Sequence, residues 1–500
     1  MSDAAFAVTP EEVAPAELAD RCRGALAAGA RMQFMYGWFA PESLQPELRY
    51  VLHPGNGRLP RQWRCRPQGV APPSLAPIAP LLSWYERETT DLCGVAFQDP
   101  PQRQSLVLLP GASAEHPPLR PGPAPALRYL AAPNELPTIS GTAHEDVQLL
   151  PFGPVRADVL ESTQLAFYYL GEAILHYHPQ LFFKHRGMEK RFEGLSPALG
   201  AVLAERVSGV GSVAHALAYC HAVEAAAHCR VPRRATWLRV LLAEFERLYN
   251  HLHFLGHLCH TTTLKVGEAQ GKFLEELAKQ LNCRISGSRL LRGLVTPGGL
   301  RREPSLTGIA ADLDRIEREF AHYADLLDST NSHLDRLITT GVLGAQLAFD
   351  QGATGPIERA SGIDRDSRRD QPYGAYGELP LRVAVRDGCD AYARQQVRIA
   401  ETHNSLALIR AALQGLPDGP VRLECSAPPL SEGLGWAETS RGTAYYAVHF
   451  DARGRFARVK IKSPSFSNWR VFPYTVHDSN MMDYAINEAS FGLTVAGCDR

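Results

Sequence analysis

The longest regular pattern of apolar positions in the chain runs from residue 233 to residue 260. Its apolar residues recur at steps of three and four: Trp237, Leu241, Phe245, Leu248, Leu252 and Leu255. This spacing places them on one face of a helix, and Pro232 just before the run suits a helix start. Residues 271–294, 306–340 and 388–413 repeat the pattern. The second half of the chain is therefore predicted to be a large helical bundle.

Shorter apolar runs between turn residues predict strands. Two hairpins are expected, one from 164–170 with 173–177 and one from 443–450 with 456–462. Near the start of the chain, strand-like runs at 31–40 and 48–52 alternate with helix-like runs at 15–28 and 81–94. Residues 111–141 are rich in Pro, Ala and Gly, which is typical of an extended connector.

These patterns predict an α+β fold class in three parts. Residues 1–125 form a small α+β domain, residues 126–142 form a linker, and residues 143–500 form a large, mainly helical domain with peripheral β hairpins. A chain of 500 residues is long enough for two separate cores.

Composition narrows the function classes. The net charge of −1 provides no field for binding nucleic acid or anionic lipid. No run of about 18 apolar residues appears, so no membrane span is expected, and the acidic N-terminus does not resemble a secretory signal. The 10 cysteines contain no C-x-x-C pair, so neither zinc nor an iron–sulfur cluster is expected on this chain. Reduced thiols are the expected state.

A turn of small residues, Ser208–Gly211, opens an apolar run that predicts a helix as far as Glu224. The turn lacks the spacing and the lysine of a phosphate-binding loop. Farther along, His253 and His257 stand four residues apart on the predicted 233–260 helix, a spacing that can hold a metal. No third ligand accompanies them, so we expect surface or interface histidines here. The neighbouring histidines are His251 and His260.

Residues 359–380 interleave arginines with aspartates: Arg359, Asp364, Arg365, Asp366 and Arg368. Such a run is usually a solvated surface. The small residues 360–362 and the closing Pro-Tyr-Gly segment favour instead a packed loop with buried ion pairs, of the kind that lines a site.

Glu189 follows a turn at Gly187. It is either a buried carboxyl that relays protons or a carboxylate at the positive end of a helix.

With these segments assembled, the chain resembles the complex I and membrane-bound nickel–iron hydrogenase large-subunit family, of the formate hydrogenlyase and hydrogenase-4 kind. The motifs that carry the resemblance lie at residues 184–190, 206–224, 231–252, 359–380, 465–469 and 498–500. Residues 84–97 and 106–111 resemble the 30-kDa-type peripheral-arm subunit of complex I, which is fused in front of the large subunit in some members.

The resemblance implies where a nickel–iron centre would be held. The family's first cysteine pair falls on Ser208 and Gly211, and its second pair falls on Thr494 and Gly497. All four thiolates are missing. Because serine is a hard, poorly acidic ligand and glycine offers none, we expect no metal on this chain and no hydrogenase activity.

The resemblance also implies a quinone site of the complex I kind. The two histidines of the family's quinone loop fall on Arg156 and Leu160, and its tyrosine falls near Leu203. Arg156 can donate a hydrogen bond but cannot supply a proton at neutral pH. Nearby residues that could compensate are His176, Tyr177 and His178.

The resemblance implies a peripheral subunit on the cytoplasmic face of the inner membrane. Its expected partners are a small subunit that carries an iron–sulfur cluster and antiporter-like membrane subunits. One hypothesis is electron transfer, with quinone as a candidate acceptor, coupled to ion translocation. The alternative is a catalytically silent scaffold that joins a soluble module to the membrane subunits. Either way, Glu189 and the 359–368 residues are the candidates for lining the retained cavity.

Overall fold

The computed structural model describes residues 8–40, 43, 45–55, 57–108, 112–113, 117–122, 128–129, 144–155, 161–477 and 479–500. Arg156, Leu160 and most of the predicted linker lie outside these residues. The division of the chain at residues 126–142 therefore stays a prediction. Below, residues 8–108 are called the N-terminal unit and residues 144–500 the large unit.

A four-stranded sheet with two helices forms the N-terminal unit. Its elements are β1 (Glu11–Glu12), α1 (Leu18–Ala27), β2 (Arg31–Phe39), β3 (Pro46–His53), β4 (Arg61–Cys65) and α2 (Ser83–Cys93). The strand order is β1-β4-β3-β2, with β1 parallel to β4 and the other neighbours antiparallel. The predicted runs at 15–28, 31–40, 48–52 and 81–94 are confirmed. The sequence pattern misses β4 because most of its residues are polar.

Two short strands follow, β5 (Ala112–Ser113) and β6 (Arg128–Tyr129). The large unit then opens with an antiparallel sheet of β7 (Gln148–Phe152), β8 (Gln164–Leu170) and β9 (Ala173–Gln180). This sheet contains the first predicted hairpin and adds β7 at its edge. Three helices follow it: α3 (Met188–Arg191), α4 (Pro197–Ala204) and α5 (Ser212–Ala226).

The helical part of the large unit agrees with the predicted pattern, with two corrections. Its elements are α6 (Arg233–Thr261), α7 (Lys265–Ser286), β10 (Val295–Thr296), β11 (Gly299–Leu300), α8 (Ile309–Ser329), α9 (Asn331–Leu337), α10 (Ala345–Gln351), α11 (Pro356–Ala360), α12 (Ser367–Asp370) and α13 (Ala391–Gln414). The helix predicted to reach residue 294 ends at Ser286, because Gly287 adopts a left-handed φ of 78° that terminates it. The helix predicted over 306–340 is two helices, because Thr330 between them is extended.

The second predicted hairpin is part of an interior sheet, so its predicted peripheral position is wrong. The sheet consists of β12 (Glu432–Thr439), β13 (Gly442–Phe450) and β14 (Phe456–Lys462). Every residue of β13 is buried, and α5, also buried along its whole length, packs against β12 and β13. The chain closes with α14 (Pro464–Val471), α15 (Tyr484–Phe491) and α16 (Val495–Asp499).

One continuous apolar core joins the two units. Phe34 of β2 packs on Tyr445 of β13, with their ring centres 5.5 Å apart. Arg31 at the start of β2 forms a buried ion pair with Glu358 of α11. The N-terminal unit therefore packs directly on the interior sheet, next to the arginine-rich loop.

Candidate functional site

The four positions that the sequence assigns to the family's thiolates come together in the folded chain. Ser208 and Gly211 lie in the turn before α5, and Thr494 and Gly497 lie at the start of α16. A β-carbon placed on Gly497 would lie 2.5 Å from Thr494 Oγ1 and 3.4 Å from Ser208 Oγ. The two distant segments therefore meet at one point, as the resemblance implies.

A small cavity lies at this meeting point, and we call it the Ser208 cavity. Among the residues that line it are Ser208, Gly211, His215, Thr439, Arg441 and Gly497. Its volume is about 10 Å³, which is roughly the room that one water molecule needs. Burial lowers the pKa of His215 to about 4, so its imidazole is neutral. His215 Nδ1 and the Tyr446 hydroxyl are 3.0 Å apart.

A buried carboxyl group supports the turn from behind. Glu246 of α6 accepts hydrogen bonds from the backbone N–H groups of Val213 and Ala214, at 2.6 and 2.9 Å. These are among the N–H groups that the first turn of a helix leaves without a partner in the helix. Burial raises the pKa of Glu246 to about 7, although both N–H groups favour its charged form.

One guanidinium group ties the two segments together. Arg186 donates to the carbonyl oxygens of Arg206 and Val207 in the first segment, at 3.0 and 2.6 Å. It also donates to the carbonyl oxygen of Ala496 in the second, at 2.8 Å. The motif at residues 184–190 thus has a structural role at the site, which the sequence could not reveal.

The arginine-rich loop forms a cluster of ion pairs inside the protein, as predicted. The cluster contains Glu244 and Arg247 of α6, Arg359 of α11, Asp366 and Arg368 at α12, Glu401 of α13 and Glu438 of β12. Each of these side chains is at most 1% exposed. We call this set the buried ion cluster.

Arg359 and Arg368 are the centres of the buried ion cluster. Arg359 donates to Glu401 at 2.7 Å and to Glu438 at 3.2 Å. Arg368 donates to Asp366 at 2.7 Å and to Glu244 at 3.1 Å. Burial opposes ionisation of Asp366, but Arg368 and Arg359 outweigh it and lower the pKa of this carboxyl to about 2.

The predicted candidates of this loop therefore divide into two groups. Arg359, Asp366 and Arg368 lie in the buried ion cluster. Arg365 is partly exposed and contacts Glu358 at 3.3 Å, whereas Asp364 lies at the surface and pairs with Arg369.

Glu189 lies in a second buried cluster, which joins the two units. Its carboxylate contacts Arg458 at 2.7 Å, Lys460 at 3.1 Å and Arg500 at 3.2 Å. Lys460 and Arg500 also contact Glu88 of α2, at 2.6 and 2.7 Å. Burial opposes ionisation of Glu189, but the three cations outweigh it and lower its pKa. Glu189 is thus held as a charged partner of three cations, which does not suit a proton donor at neutral pH.

The histidines considered from sequence lie in different environments. His253 contacts Glu275 and His260 contacts Glu268, both on the exposed face of α6. His251 is buried and contacts Glu401 at 2.8 Å. Among the described residues, no group of three or more His, Cys, Asp or Glu side chains is placed to hold a metal ion.

The candidates for a compensated quinone site also lie in different environments. Tyr177 is buried, with its hydroxyl 3.1 Å from that of Tyr484. His176 is partly exposed, and its ring lies 5.0 Å from that of His477. Leu203 is partly buried on α4 and packs against the core.

Three models of protein families match the sequence of this chain. The family model described as the 49 Kd subunit of respiratory-chain NADH dehydrogenase matches residues 274–430 and 424–500. The model of nickel-dependent hydrogenase matches residues 186–286, and that of the 30 Kd subunit of respiratory-chain NADH dehydrogenase matches residues 28–123.

Curated relatives extend over most of the chain. Formate hydrogenlyase subunit 5 of Escherichia coli is 32% identical over 429 residues, which cover 82% of this chain and 74% of the relative. The chain belongs to the complex I and membrane-bound hydrogenase large-subunit family. An NADH-quinone oxidoreductase subunit of Ectopseudomonas mendocina, designated C/D, is 28% identical over 86% of this chain and 80% of its own length. The designation C/D names two subunits in one chain, and the present chain likewise matches two subunit models, those of the 30 Kd and the 49 Kd subunits.

A solved structure shares the fold of this family member. One chain of the membrane-bound sulfane sulfur reductase (MBS), an archaeal respiratory membrane complex, matches with a TM-score of 0.68 and 24% identity. The match covers 72% of this chain and 100% of that chain. Of the helices within the described residues, none is both long and apolar enough to cross a membrane.

The nickel–iron centre of hydrogenases in this family does not fit the residues present here. A centre held by thiolates needs soft, readily ionised donors. The four ligand positions instead supply the hydroxyls of Ser208 and Thr494 and no side-chain donor at Gly211 and Gly497. The surrounding space of about 10 Å³ is also too small for two metal ions and their ligands.

Several residues of the site escaped sequence reasoning. Glu244, Glu401 and Glu438 neutralise the arginines of the loop, yet each lies more than 30 positions from them in the sequence. The sequence offered one signal, which was the presence of charged residues within an apolar helix. Glu244 and Arg247 stand among the apolar residues of the predicted helix, and the structure buries both of them.

Proposed function

We propose that this chain is a peripheral subunit of a membrane-bound complex I-like complex related to energy-converting hydrogenases. It takes part in electron transfer without a nickel–iron centre, and quinone is the candidate acceptor. The complex couples this transfer to ion translocation and sits on the cytoplasmic face of the inner membrane.

The observation that supports the absence of a nickel–iron centre is the Ser208 cavity. Two distant segments converge at this cavity, and Arg186 hydrogen-bonds to both of them. The buried ion cluster lies next to it. The four positions that the resemblance assigns to metal ligands hold two hydroxyl groups and two glycines. Family membership supports the assembly into a complex, because the relatives are by name subunits of formate hydrogenlyase and of NADH-quinone oxidoreductase.

The proposal assigns the electron carrier to a partner. Of the chain's own cysteines, Cys229 and Cys425 contact each other, and Cys22, Cys65, Cys93, Cys220, Cys259 and Cys498 are buried. One pair of thiols is fewer than the four ligands that an iron–sulfur cluster needs. We therefore propose that an iron–sulfur small subunit docks on this chain and that antiporter-like membrane subunits complete the complex.

The test is purification of the native complex, followed by metal analysis and electron paramagnetic resonance under reducing conditions. We expect no stoichiometric nickel and a reducible iron–sulfur signal in the complex. The matched control is the isolated chain, which should show neither. Stoichiometric nickel in the complex would contradict the proposal, and so would an iron–sulfur cluster on the isolated chain.

A silent scaffold is the second candidate, and the size of the Ser208 cavity favours it. A volume of about 10 Å³ leaves no room for a substrate larger than water. If the purified complex contains no reducible cluster at all, the scaffold role replaces electron transfer.

A further inference from the structure

The buried ion cluster contains more carboxylates than guanidinium groups. Four carboxylates, those of Glu244, Asp366, Glu401 and Glu438, face the three guanidinium groups of Arg247, Arg359 and Arg368. Arginine stays protonated in proteins, and an unpaired charge inside a protein is costly. One carboxylate of this cluster therefore needs either a proton or a further cation.

Glu438 is the carboxylate with the weakest ion pairing. Its one guanidinium contact is to Arg359 at 3.2 Å, and Arg359 contacts Glu401 more closely, at 2.7 Å. The other oxygen of Glu438 accepts a hydrogen bond from the Thr443 hydroxyl at 2.6 Å. Burial and the nearby Asp366 raise the pKa of Glu438, and Arg359 opposes them only in part.

Lys462 is a further buried cation near this cluster, and it acts on Glu438 through its charge without forming an ion pair with it. It is 3% exposed, and its ammonium donates to the backbone oxygen of Thr443 at 2.9 Å. Lys462 on β14 and Glu438 on β12 thus lie on either side of Thr443 on β13. Burial lowers the pKa of Lys462 to about 7, against the attraction of Glu438.

Two adjacent cavities lead from this pair toward the surface, and we call them the paired crevice. They share Thr354, Glu358 and Arg365 among their lining residues, and their volumes are about 20 and 10 Å³. Each is large enough for about one water molecule. The Arg365 side chain at the shared wall is 26% exposed, so the crevice reaches solvent there.

Polar atoms in the paired crevice are suited to bind water. Among the residues that the structure describes, His53 Nε2 in the smaller cavity has no hydrogen-bond partner, and neither has Arg470 Nε in the larger one. Both residues are buried. Buried polar groups of this kind are commonly satisfied by ordered water.

A pair of hydroxyls connects the crevice to Glu438. Ser367, Thr443 and Glu438 all line the smaller cavity, and the Oγ of Ser367 lies 2.6 Å from Thr443 Oγ1. A proton from crevice water can pass to Ser367, while Ser367 passes its own to Thr443 and Thr443 passes its own to Glu438. Each hydroxyl ends as it began, and the net change is one proton taken from water by the Glu438 carboxylate.

We propose that Glu438 and Lys462 form a buried proton-binding site that exchanges with solvent through Ser367, Thr443 and the paired crevice. This inference does not rest on electron transfer or on any partner subunit. The charged or titratable groups facing the pair are Arg31, His53, Arg247, Glu358, Arg359, Arg365, Asp366, Asp370, Tyr373, Glu401 and Tyr445.

The proton-binding site lies next to the Ser208 cavity. Glu438 adjoins Thr439, which lines the Ser208 cavity, and Arg247 holds the backbone oxygens of both residues at 2.8 and 2.9 Å. Consecutive residues of a strand point to opposite faces. A proton bound at Glu438 therefore changes the charge one residue away from the Ser208 cavity, without entering it.

The test is infrared spectroscopy of the full-length chain during titration across neutral pH, in water and in heavy water. Burial also raises the pKa of Glu86, Glu246 and Asp499 to about 7, so the quantity measured is the difference between the titration spectra of the unmodified chain and of Glu438→Gln. We expect this difference to contain the absorption of one protonated buried carboxyl. The matched control is Glu224→Gln, since Glu224 is another buried glutamate, paired with Arg239 at 2.6 Å. That variant should keep the absorption.

Two further variants keep the proposal testable if Glu438→Gln does not fold. Lys462→Met removes the cation that favours ionised Glu438, so the titration midpoint should rise by about one pH unit. Ser367→Ala leaves the hydrogen bond from Thr443 to Glu438 in place and should slow proton uptake after a pH jump at least tenfold. Titration spectra that are the same in Glu438→Gln as in the unmodified chain, an unchanged midpoint in Lys462→Met, or unchanged uptake in Ser367→Ala would overturn the proposal.

Discussion

At the scale of single residues, the Ser208 cavity leaves little room beside its two glycines. Gly497 could not accept a side chain without movement, because a β-carbon there would lie 2.5 Å from Thr494 Oγ1 and 3.2 Å from Ser465 Oγ. Gly211 is similarly restricted, since its β-carbon would lie 3.1 Å from the His215 ring. Neighbouring side chains therefore lie in close contact with both glycines.

The first prediction concerns the missing thiolates. The double variant Ser208→Cys, Gly211→Cys should not gain hydrogen-dependent dye reduction, because Thr494 and Gly497 still provide no thiolate. The assay should include the nickel content of the purified variant, which we expect to equal that of the unmodified chain. Dye reduction above the level of the unmodified chain would contradict this prediction.

The second prediction concerns Glu246, behind the turn. Its pKa in the folded protein is about 7, above the ordinary value near 4.3. Between these values the folded chain holds a proton that the unfolded chain releases, so this group's contribution to stability falls as pH rises. The Glu246→Gln variant lacks this titration, so its unfolding free energy should decrease less steeply between about pH 5 and about pH 7. The slope should differ from that of the unmodified protein by at most about 1.4 kcal/mol per pH unit.

The measurement is denaturant unfolding of both proteins across that range. Glu276→Gln, an exposed substitution on α7, is the control and should leave the slope unchanged. A Glu246→Gln variant with the slope of the unmodified protein would mean that Glu246 is ionised throughout.

At the scale of elements, the contact between α5 and β12 holds the site together. Gly435 lies directly against the helix, where a β-carbon would be 2.2 Å from the backbone nitrogen of Ala222 and 2.4 Å from the oxygen of Ala218. Only a residue without a side chain permits this approach. The close contact fixes α5, and with it the Ser208 turn, relative to the sheet.

The third prediction follows from this contact. Gly435→Ala should separate helix from sheet and lower the unfolding free energy by about 3 kcal/mol, at the upper end of the usual cost of overpacking. Gly24→Ala on α1 is the control, because no atom lies within 4 Å of its β-carbon position. It should be neutral or stabilising by up to about 1 kcal/mol. Equal stability of the two variants would contradict the packing.

The elements also show what sequence reasoning can reach. Periodicity located α6 and α13 to within a few residues, because an amphipathic pattern is a local property. It failed to reveal that β13 is interior, since burial depends on what α5 and the N-terminal unit place over the strand. Similarly, motif register located Ser208 and Gly497, whereas the ion partners Glu401 and Glu438 depended on tertiary contacts that no spacing encodes.

At the scale of the whole molecule, the cluster of Glu88, Glu189, Arg458, Lys460 and Arg500 fastens the two units together. Three cations share two carboxylates there, all of them buried. Removing one carboxylate leaves three positive charges with a single partner. Buried cations without partners are strongly unfavourable.

The fourth prediction applies to this cluster. Glu88→Gln should lower the unfolding free energy by about 3–5 kcal/mol, the usual cost of breaking a buried ion pair. Thermal unfolding followed by circular dichroism measures the change. The exposed substitution Glu17→Gln is the control and should stay within about 0.5 kcal/mol of the unmodified protein. A Glu88→Gln variant as stable as the control would show that the cluster contributes little.

The contact between Glu88 and Arg500 spans 412 positions of sequence. Ribosomes add about 5–20 residues per second, so roughly 20–80 s separate the synthesis of one partner from that of the other. During that interval Glu88 of the N-terminal unit is without Lys460 and Arg500, and the face that receives β13 is uncovered. The nascent chain thus passes through an aggregation-prone stage, and its yield in the cell depends on how well chaperones cover that face until translation finishes.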